Sequence, residues 1–93
     1  MNKKNILKIR NKLDKLDNSL LKIIKKRTLL VDKVIRNKKF KKDIVDQKRI
    51  KIILRNIHEK SRKKNIDPLI TSAIWKSMIK AYIDYEYRNF GKK

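Results

Sequence analysis

Hydrophobic residues recur along the first third of the chain at alternating steps of three and four, which places their side chains on one face of a helix. We call this face the apolar seam, and it comprises Ile6, Ile9, Leu13, Leu16, Leu20, Ile23, Leu30 and Val34. Neither Pro nor Gly interrupts it, so the pattern predicts one helix from about Lys3 to Lys39, about 50 Å long. A second apolar row widens the buried face in its second half: Leu21, Ile24, Val31 and Ile35.

Two shorter helices are predicted to follow. A polar stretch from Lys39 to Asp43 ends the first pattern. The second helix ends near Lys64, and its apolar stripe is Ile50, Ile53, Leu54 and Ile57. The third helix ends after Phe90, and its inward residues are predicted to be Ile70, Ile74, Met78, Tyr82 and Tyr85. The expected fold class is therefore all-α, with three helices per chain.

The clearest turn signal is the segment Asn65-Ile66-Asp67-Pro68, between the second and third helices. Asn tolerates the left-handed conformation that follows many helices, so Asn65 is predicted to end the second helix. Asp67 suits the N-cap of the third helix, and Pro68 suits its first turn.

Composition narrows the protein class. With 93 residues, we expect a single helical domain over residues 1–93. Without Cys, and with one His, the chain offers neither a disulfide framework nor a zinc site, and we expect no metal and no cofactor. The basic first ten residues precede no apolar run of signal-peptide or membrane-span length, which favours a cytoplasmic protein without membrane attachment.

The net charge of +20 raises the question of a nucleic-acid partner, since polycations gain affinity for phosphates by releasing counterions. Lys and Arg occupy the polar faces of all three predicted helices, which is typical of a solvated surface. RNA-binding signatures, zinc fingers and glycine-rich loops are absent from the sequence. We therefore expect no nucleic-acid partner, and keep a polyanion-binding helical protein as an alternative.

Arg27 lies within the apolar seam, where a desolvated guanidinium requires an anionic partner. Lys38 follows three helical turns later on nearly the same face, about 16 Å along the axis. Arg10 precedes Arg27 by about 25 Å, too far for both to hold one small ligand within a chain. An antiparallel second copy solves this problem, because it brings its own Arg10 to the site and covers the seam. We therefore predict an antiparallel homodimer that binds a small anion.

In order and spacing, these motifs resemble the all-helical AroQ class of chorismate mutases from Ile9 to about Phe90. Arg10, Leu16-Asp17, Leu20-Leu21 and Arg27 follow the family's first-helix pattern, and Lys38 falls on its lysine. Asp46-Gln47-Lys48-Arg49 matches its Asp-x-x-Arg motif, and the Asn65–Pro68 segment resembles its Gly-Leu-Asp-Pro turn. Met78-Ile79 through Glu86 resembles the stretch that ends in its Gln.

The resemblance implies an intertwined homodimer that rearranges chorismate, a dicarboxylate, to prephenate in aromatic amino-acid biosynthesis. This pericyclic reaction needs only a cage that holds a chair-like conformer and stabilises charge on the breaking ether oxygen. By resemblance, Arg27 and Arg10 of the partner subunit grip carboxylates, while Lys38 donates to the ether oxygen.

The resemblance also places Asp46 and Arg49 at the substrate site, with Arg49 supporting the cage. Considered from the residues alone, two other interpretations remain open. Arg27 could pair with Asp46 within the chain, and Arg10, Lys38 and Arg49 could be solvated charges.

Ile50 departs from the family, which usually has a Glu there that binds the substrate's ring hydroxyl. An apolar residue at this position resembles the related isochorismate pyruvate lyases, which form salicylate and pyruvate. Alternatively, Ile50 is simply part of the apolar stripe of the second helix.

Glu86 stands where the family usually has Gln, although the fungal branch resembles this chain here. An amide can donate to the ether oxygen, whereas a carboxyl must first be protonated. Glu86 could instead form an ion pair with Lys38 or Arg49. Tyr82, one turn earlier, is a candidate carboxylate contact or a packed aromatic residue.

Overall fold

The computed structural model describes residues 2–92. Its helices are α1 (Lys3–Asn37), α2 (Gln47–Lys63) and α3 (Pro68–Asn89), with a short 3-10 helix at Lys41–Asp43 between α1 and α2. Residues 2–92 contain no strand, so the all-α prediction with three helices is confirmed. None of the helices in this range combines the length and the hydropathy that a membrane crossing requires.

The α2–α3 turn has the conformation that its sequence predicts. Asn65 adopts a positive φ of 57°, and the Asp67 side chain accepts a hydrogen bond of 2.9 Å from the Leu69 N–H. Pro68 is the first residue of α3, where its missing N–H removes no helical bond. These three residues end one helix and start the next, so α2 and α3 form a hairpin.

The chain divides into two compact units, the first ending at Asp32 and the second beginning at Lys33. In the first unit the chain is helical from Lys3 onward. Six of the seam residues there are each between 52% and 61% exposed, namely Ile9, Leu13, Leu16, Leu20, Ile23 and Leu30, whereas Ile6 is half-buried. A single chain therefore leaves most of the apolar seam in water.

The second unit contains the α2–α3 hairpin, whose helices pack on each other. Its buried hydrophobic residues are Ile35 and Ile44, and three buried residues are polar: Ser61, Thr71 and Glu86. Hydroxyl groups join the two helices, because Ser61 Oγ and Thr71 Oγ1 lie 2.7 Å apart. Ser61 Oγ also donates to the Ile57 carbonyl at 2.6 Å, which satisfies the buried hydroxyl.

The inward face of α3 differs from the predicted one. Ile70 and Ile74 are 57% and 51% exposed, so the prediction that they face inward is wrong for the single chain. Met78, Tyr82 and Tyr85 are half-buried, in agreement with the prediction, and Thr71, Trp75 and Glu86 are also buried or half-buried. Thr71, whose hydroxyl contacts that of Ser61, lies near the start of α3, and Ile70 and Ile74 lie on the side of α3 that is exposed in one chain.

Candidate active site

Lys38 and Glu86 are two predicted site residues whose side chains form an ion pair. Lys38 Nζ lies 3.0 Å from Glu86 Oε1, and the two side chains are 20% and 10% exposed. Lys38 follows the C-terminal end of α1, and Glu86 lies in the last turn of α3. The ion pair that the sequence left open for Glu86 is therefore formed with Lys38, within the second unit.

A second acceptor holds the same ammonium group. Lys38 Nζ donates to the main-chain carbonyl of Ile44 at 3.3 Å. Ile44 is 3% exposed, so its carbonyl is anchored by a buried side chain. A lysine ammonium has three N–H donors, and these contacts use two of them. The third can donate to a ligand oxygen from a fixed position.

Sequence reasoning did not identify the Ile44 carbonyl as part of this arrangement. A backbone acceptor carries no side-chain signature, so residue type alone could not reveal it. The available signal was an apolar residue directly after the polar stretch from Lys39 to Asp43. That signal indicates burial of Ile44, but it does not indicate which donor its carbonyl meets.

Asp46, Arg49 and Ile50 lie at the start of α2. Asp46 is the N-cap, and its Oδ1 accepts from the Arg49 N–H at 3.0 Å. The Ile50 N–H donates to the Asp46 carbonyl at 3.0 Å. Arg49 is exposed and Ile50 is half-buried. In this chain the Asp46 carboxylate thus has a local structural role, which is to start the helix that presents Arg49 and Ile50.

Tyr82 is half-buried one turn before Glu86 on the inward face of α3. Its ring meets Tyr85 edge to face, with centroids 6.3 Å apart and an interplanar angle of 85°. Such pairs orient aromatic rings as well as burying them. Tyr82 is therefore packed, while its place on the Glu86 face keeps it a candidate substrate contact.

Arg10 and Arg27 belong to the first unit. Arg10 is exposed, and Arg27 is half-buried among seam residues that are themselves exposed. Their meeting with Lys38 and Glu86 at one ligand, with Arg10 supplied by a partner, stays a prediction.

The comparisons with known proteins give one family. A family model described as chorismate mutase type II matches residues 9–87, most of the 93-residue chain. The matched range begins in the apolar seam, includes all of α2 and extends just past Glu86. Neither the curated proteins nor the solved structures gave a match. Because the family model matches most of its length, the chain belongs to the type II chorismate mutases, the all-helical AroQ class.

Proposed function

We propose that the protein converts chorismate to prephenate in a cationic cage, as a step of aromatic amino-acid biosynthesis. Membership of the family supports chorismate mutase activity. The observation that carries the proposal is the placement of Lys38, whose ammonium is held by Glu86 and Ile44 with one N–H left to donate. This is the group that the proposed reaction requires at the breaking ether bond.

The proposed chemistry needs no nucleophile and no proton removal from carbon. The ether C–O bond breaks while a C–C bond forms, and negative charge builds on the ether oxygen in the transition state. A donor that is fixed in advance stabilises this charge without reorganising during the reaction. Lys38 supplies that donor, and its two protein contacts limit its motion.

Arginine side chains hold the two substrate carboxylates in this proposal. Arg27 binds one, Arg10 of the partner subunit binds another, and Arg49 supports them from α2. Planar guanidinium groups suit this role because they contact carboxylates through two parallel N–H donors. Holding both carboxylates favours the compact conformer from which the reaction proceeds.

Arg10 enters the site through a homodimer in which two α1 helices run antiparallel. The apolar seam supports this assembly, because six of its residues in the first unit are more than half exposed in one chain. An apolar surface of this extent calls for a covering partner. A second copy of the same seam is self-complementary under a two-fold axis, so homodimerisation buries both seams at once.

Glu86 has two candidate roles in this scheme. When ionised it positions Lys38 through the 3.0 Å contact. When protonated it can itself donate to the ether oxygen, as an amide would. The second role makes the rearrangement faster in acid, and the first role alone does not.

Ile50 favours isochorismate pyruvate lyase activity as the second candidate function. It is half-buried and offers no acceptor for the ring hydroxyl of chorismate. Isochorismate carries its hydroxyl elsewhere on the ring, so an apolar residue at this position suits it better. The cationic cage serves both dicarboxylates, and Ile50 is the residue that would discriminate between them.

The test supplies purified protein with chorismate and isochorismate separately and identifies the products. We expect prephenate from chorismate. Salicylate and pyruvate from isochorismate, with little prephenate from chorismate, would show that the protein is an isochorismate pyruvate lyase. If neither substrate gives product, and the protein binds RNA or DNA in a salt-sensitive and length-dependent way, it is a polyanion-binding protein and not an enzyme.

A further inference from the structure

A cavity of about 610 Å³ lies within the second unit, between the last turn of α1 and the turn after α3. The α1 side supplies Ile35, Arg36, Lys38 and Lys39, and the α3 side supplies Phe90, Gly91 and Lys92. None of the described residues that line it is acidic. Its size falls in the range of small-molecule sites.

The turn after α3 is built locally. Gly91 has a φ of 79°, which an L side chain rarely adopts, and the Lys92 N–H donates to the Asn89 carbonyl at 3.2 Å. The Asn89 side chain in turn donates to the Tyr85 carbonyl at 2.8 Å. The chain therefore folds back at Gly91, and Phe90 and Lys92 line the same cavity.

The electrostatic balance of the cavity favours an anion. Arg36, Lys38, Lys39 and Lys92 contribute four positive charges. The carboxyl ends of α1 and α3 oppose them with helix dipoles equivalent to about half a negative charge each. The Glu86 carboxylate offsets part of the Lys38 charge. A positive excess of about two charges remains.

The lining also contains apolar surface. Ile35 is 6% exposed and Phe90 is half-buried, so the lining combines cationic groups with an aliphatic side chain and an aromatic ring. A simple inorganic anion would leave that surface in water, whereas a ring covers it. We infer that this cavity binds a small ring-bearing dianion, with an aromatic phosphomonoester as the matching ligand class.

The cavity differs from the candidate active site in composition. Of the described lining residues, Lys38 is the one that belongs to both. We expect an anion in the cavity to compete with Glu86 and with substrate for the Lys38 ammonium group. This consequence rests on the proposed function, and it predicts that the anion lowers kcat/KM for chorismate.

The first experiment measures binding and does not depend on turnover. Gly91 is the only glycine in the chain, so its backbone amide gives an isolated signal in a ¹H–¹⁵N NMR spectrum. The intact protein is titrated with phenyl phosphate, and separately with inorganic phosphate. We expect a saturable shift of the Gly91 signal, with tighter binding of phenyl phosphate.

Variants that remove charge distinguish binding at the cavity from general electrostatic attraction of an anion to a cationic protein. The Arg36→Gln/Lys92→Gln double variant removes two lining charges outside the catalytic machinery. Lys51→Gln/Arg55→Gln removes the same charge from exposed positions on α2 and is the matched control. We expect the cavity variant to bind phenyl phosphate about fivefold more weakly and the control to change by less than about twofold.

Equal weakening in both variants, equal affinity for the two phosphates, or a Gly91 signal that does not move would each overturn the inference. A second measurement addresses the coupling through Lys38, namely inhibition of chorismate turnover by phenyl phosphate in wild type and in Arg36→Gln/Lys92→Gln. Inhibition that is weakened in the variant supports the coupling, and unchanged inhibition contradicts it. If the protein shows no mutase activity, the NMR titration still decides whether the site exists.

Discussion

Glu86 is 8% exposed, and its carboxylate contacts Lys38 Nζ at 3.0 Å. An ionised carboxyl group accepts hydrogen bonds, while a protonated one also donates. The protonation state of this residue therefore decides whether Glu86 only positions Lys38 or also stabilises the ether oxygen directly. The two roles predict different pH profiles.

The donor role predicts that mutase activity falls as pH rises, because deprotonation removes one of two donors to the ether oxygen. Loss of one such donor reduces the rate by at least about tenfold. Glu86→Gln donates at every pH and should flatten the profile of kcat. Glu59→Gln, at an exposed position on α2, is the control and should keep the wild-type slope. A slope that survives in Glu86→Gln would remove Glu86 from the proton-dependent step.

Ile50 provides a second test at the residue scale. Ile50→Glu places an acceptor where the family usually has one, so the ratio of kcat/KM for chorismate to that for isochorismate should rise by about tenfold. Ile52→Glu adds the same charge at an exposed position of α2 and should leave the ratio unchanged. An unchanged ratio of the two kcat/KM values in Ile50→Glu would show that this position does not discriminate between the ring hydroxyl positions of the two substrates.

At the scale of helices, features that depend on a single helix or turn could be predicted from sequence, whereas contacts between helices could not. Uninterrupted periodicity predicted α1 to within two residues of its end at Asn37. Asn65 and Asp67 act within their own turn, so residue type sufficed to predict their roles. The contact between Ser61 of α2 and Thr71 of α3 joins two polar residues, so hydrophobicity did not indicate it, and hydrophobicity placed Ile70 and Ile74 on a face that is exposed in one chain.

The candidate site shows the same division. Lys38 and Glu86 could be proposed as a pair from their types and from the resemblance, before any distance was known. The Ile44 carbonyl could not be proposed, because its role depends on how the segment after α1 folds. Backbone acceptors become visible once that fold is known.

The Ser61–Thr71 pair should stabilise the α2–α3 hairpin. Each hydroxyl has one proton, and Ser61 donates its own to the Ile57 carbonyl at 2.6 Å. The Thr71 hydroxyl then has two acceptors, Ser61 Oγ at 2.7 Å and the Pro68 carbonyl at 3.4 Å, and the shorter contact joins the two helices. Thr71→Val should lower the free energy of unfolding by about 1–2 kcal/mol. Chemical denaturation of Ser61→Ala, Thr71→Val and the double variant gives the coupling energy. Strictly additive single effects would mean that the two hydroxyls do not interact.

At the scale of the whole molecule, the exposed seam predicts a homodimer that a single charge can disrupt. Leu20 is 53% exposed at the middle of the seam, and Leu20→Asp should shift the protein toward monomer in sedimentation experiments. Leu29 is 54% exposed and lies nine residues later, on the opposite side of α1. Leu29→Asp is therefore the matched control and should remain dimeric. Monomeric wild-type protein would contradict the proposed assembly and the role of Arg10 of the partner subunit.

The most direct test of the cationic cage is chorismate turnover by wild type, Arg27→Ala and Lys26→Ala, with circular dichroism to verify helix content. Arg27 is half-buried in the seam, while its neighbour Lys26 is exposed and carries the same charge. We expect prephenate from wild type, a loss of at least about a hundredfold in kcat/KM for Arg27→Ala, and a change of less than about twofold for Lys26→Ala. Prephenate formation by Arg27→Ala at the wild-type rate would contradict the proposed cationic cage.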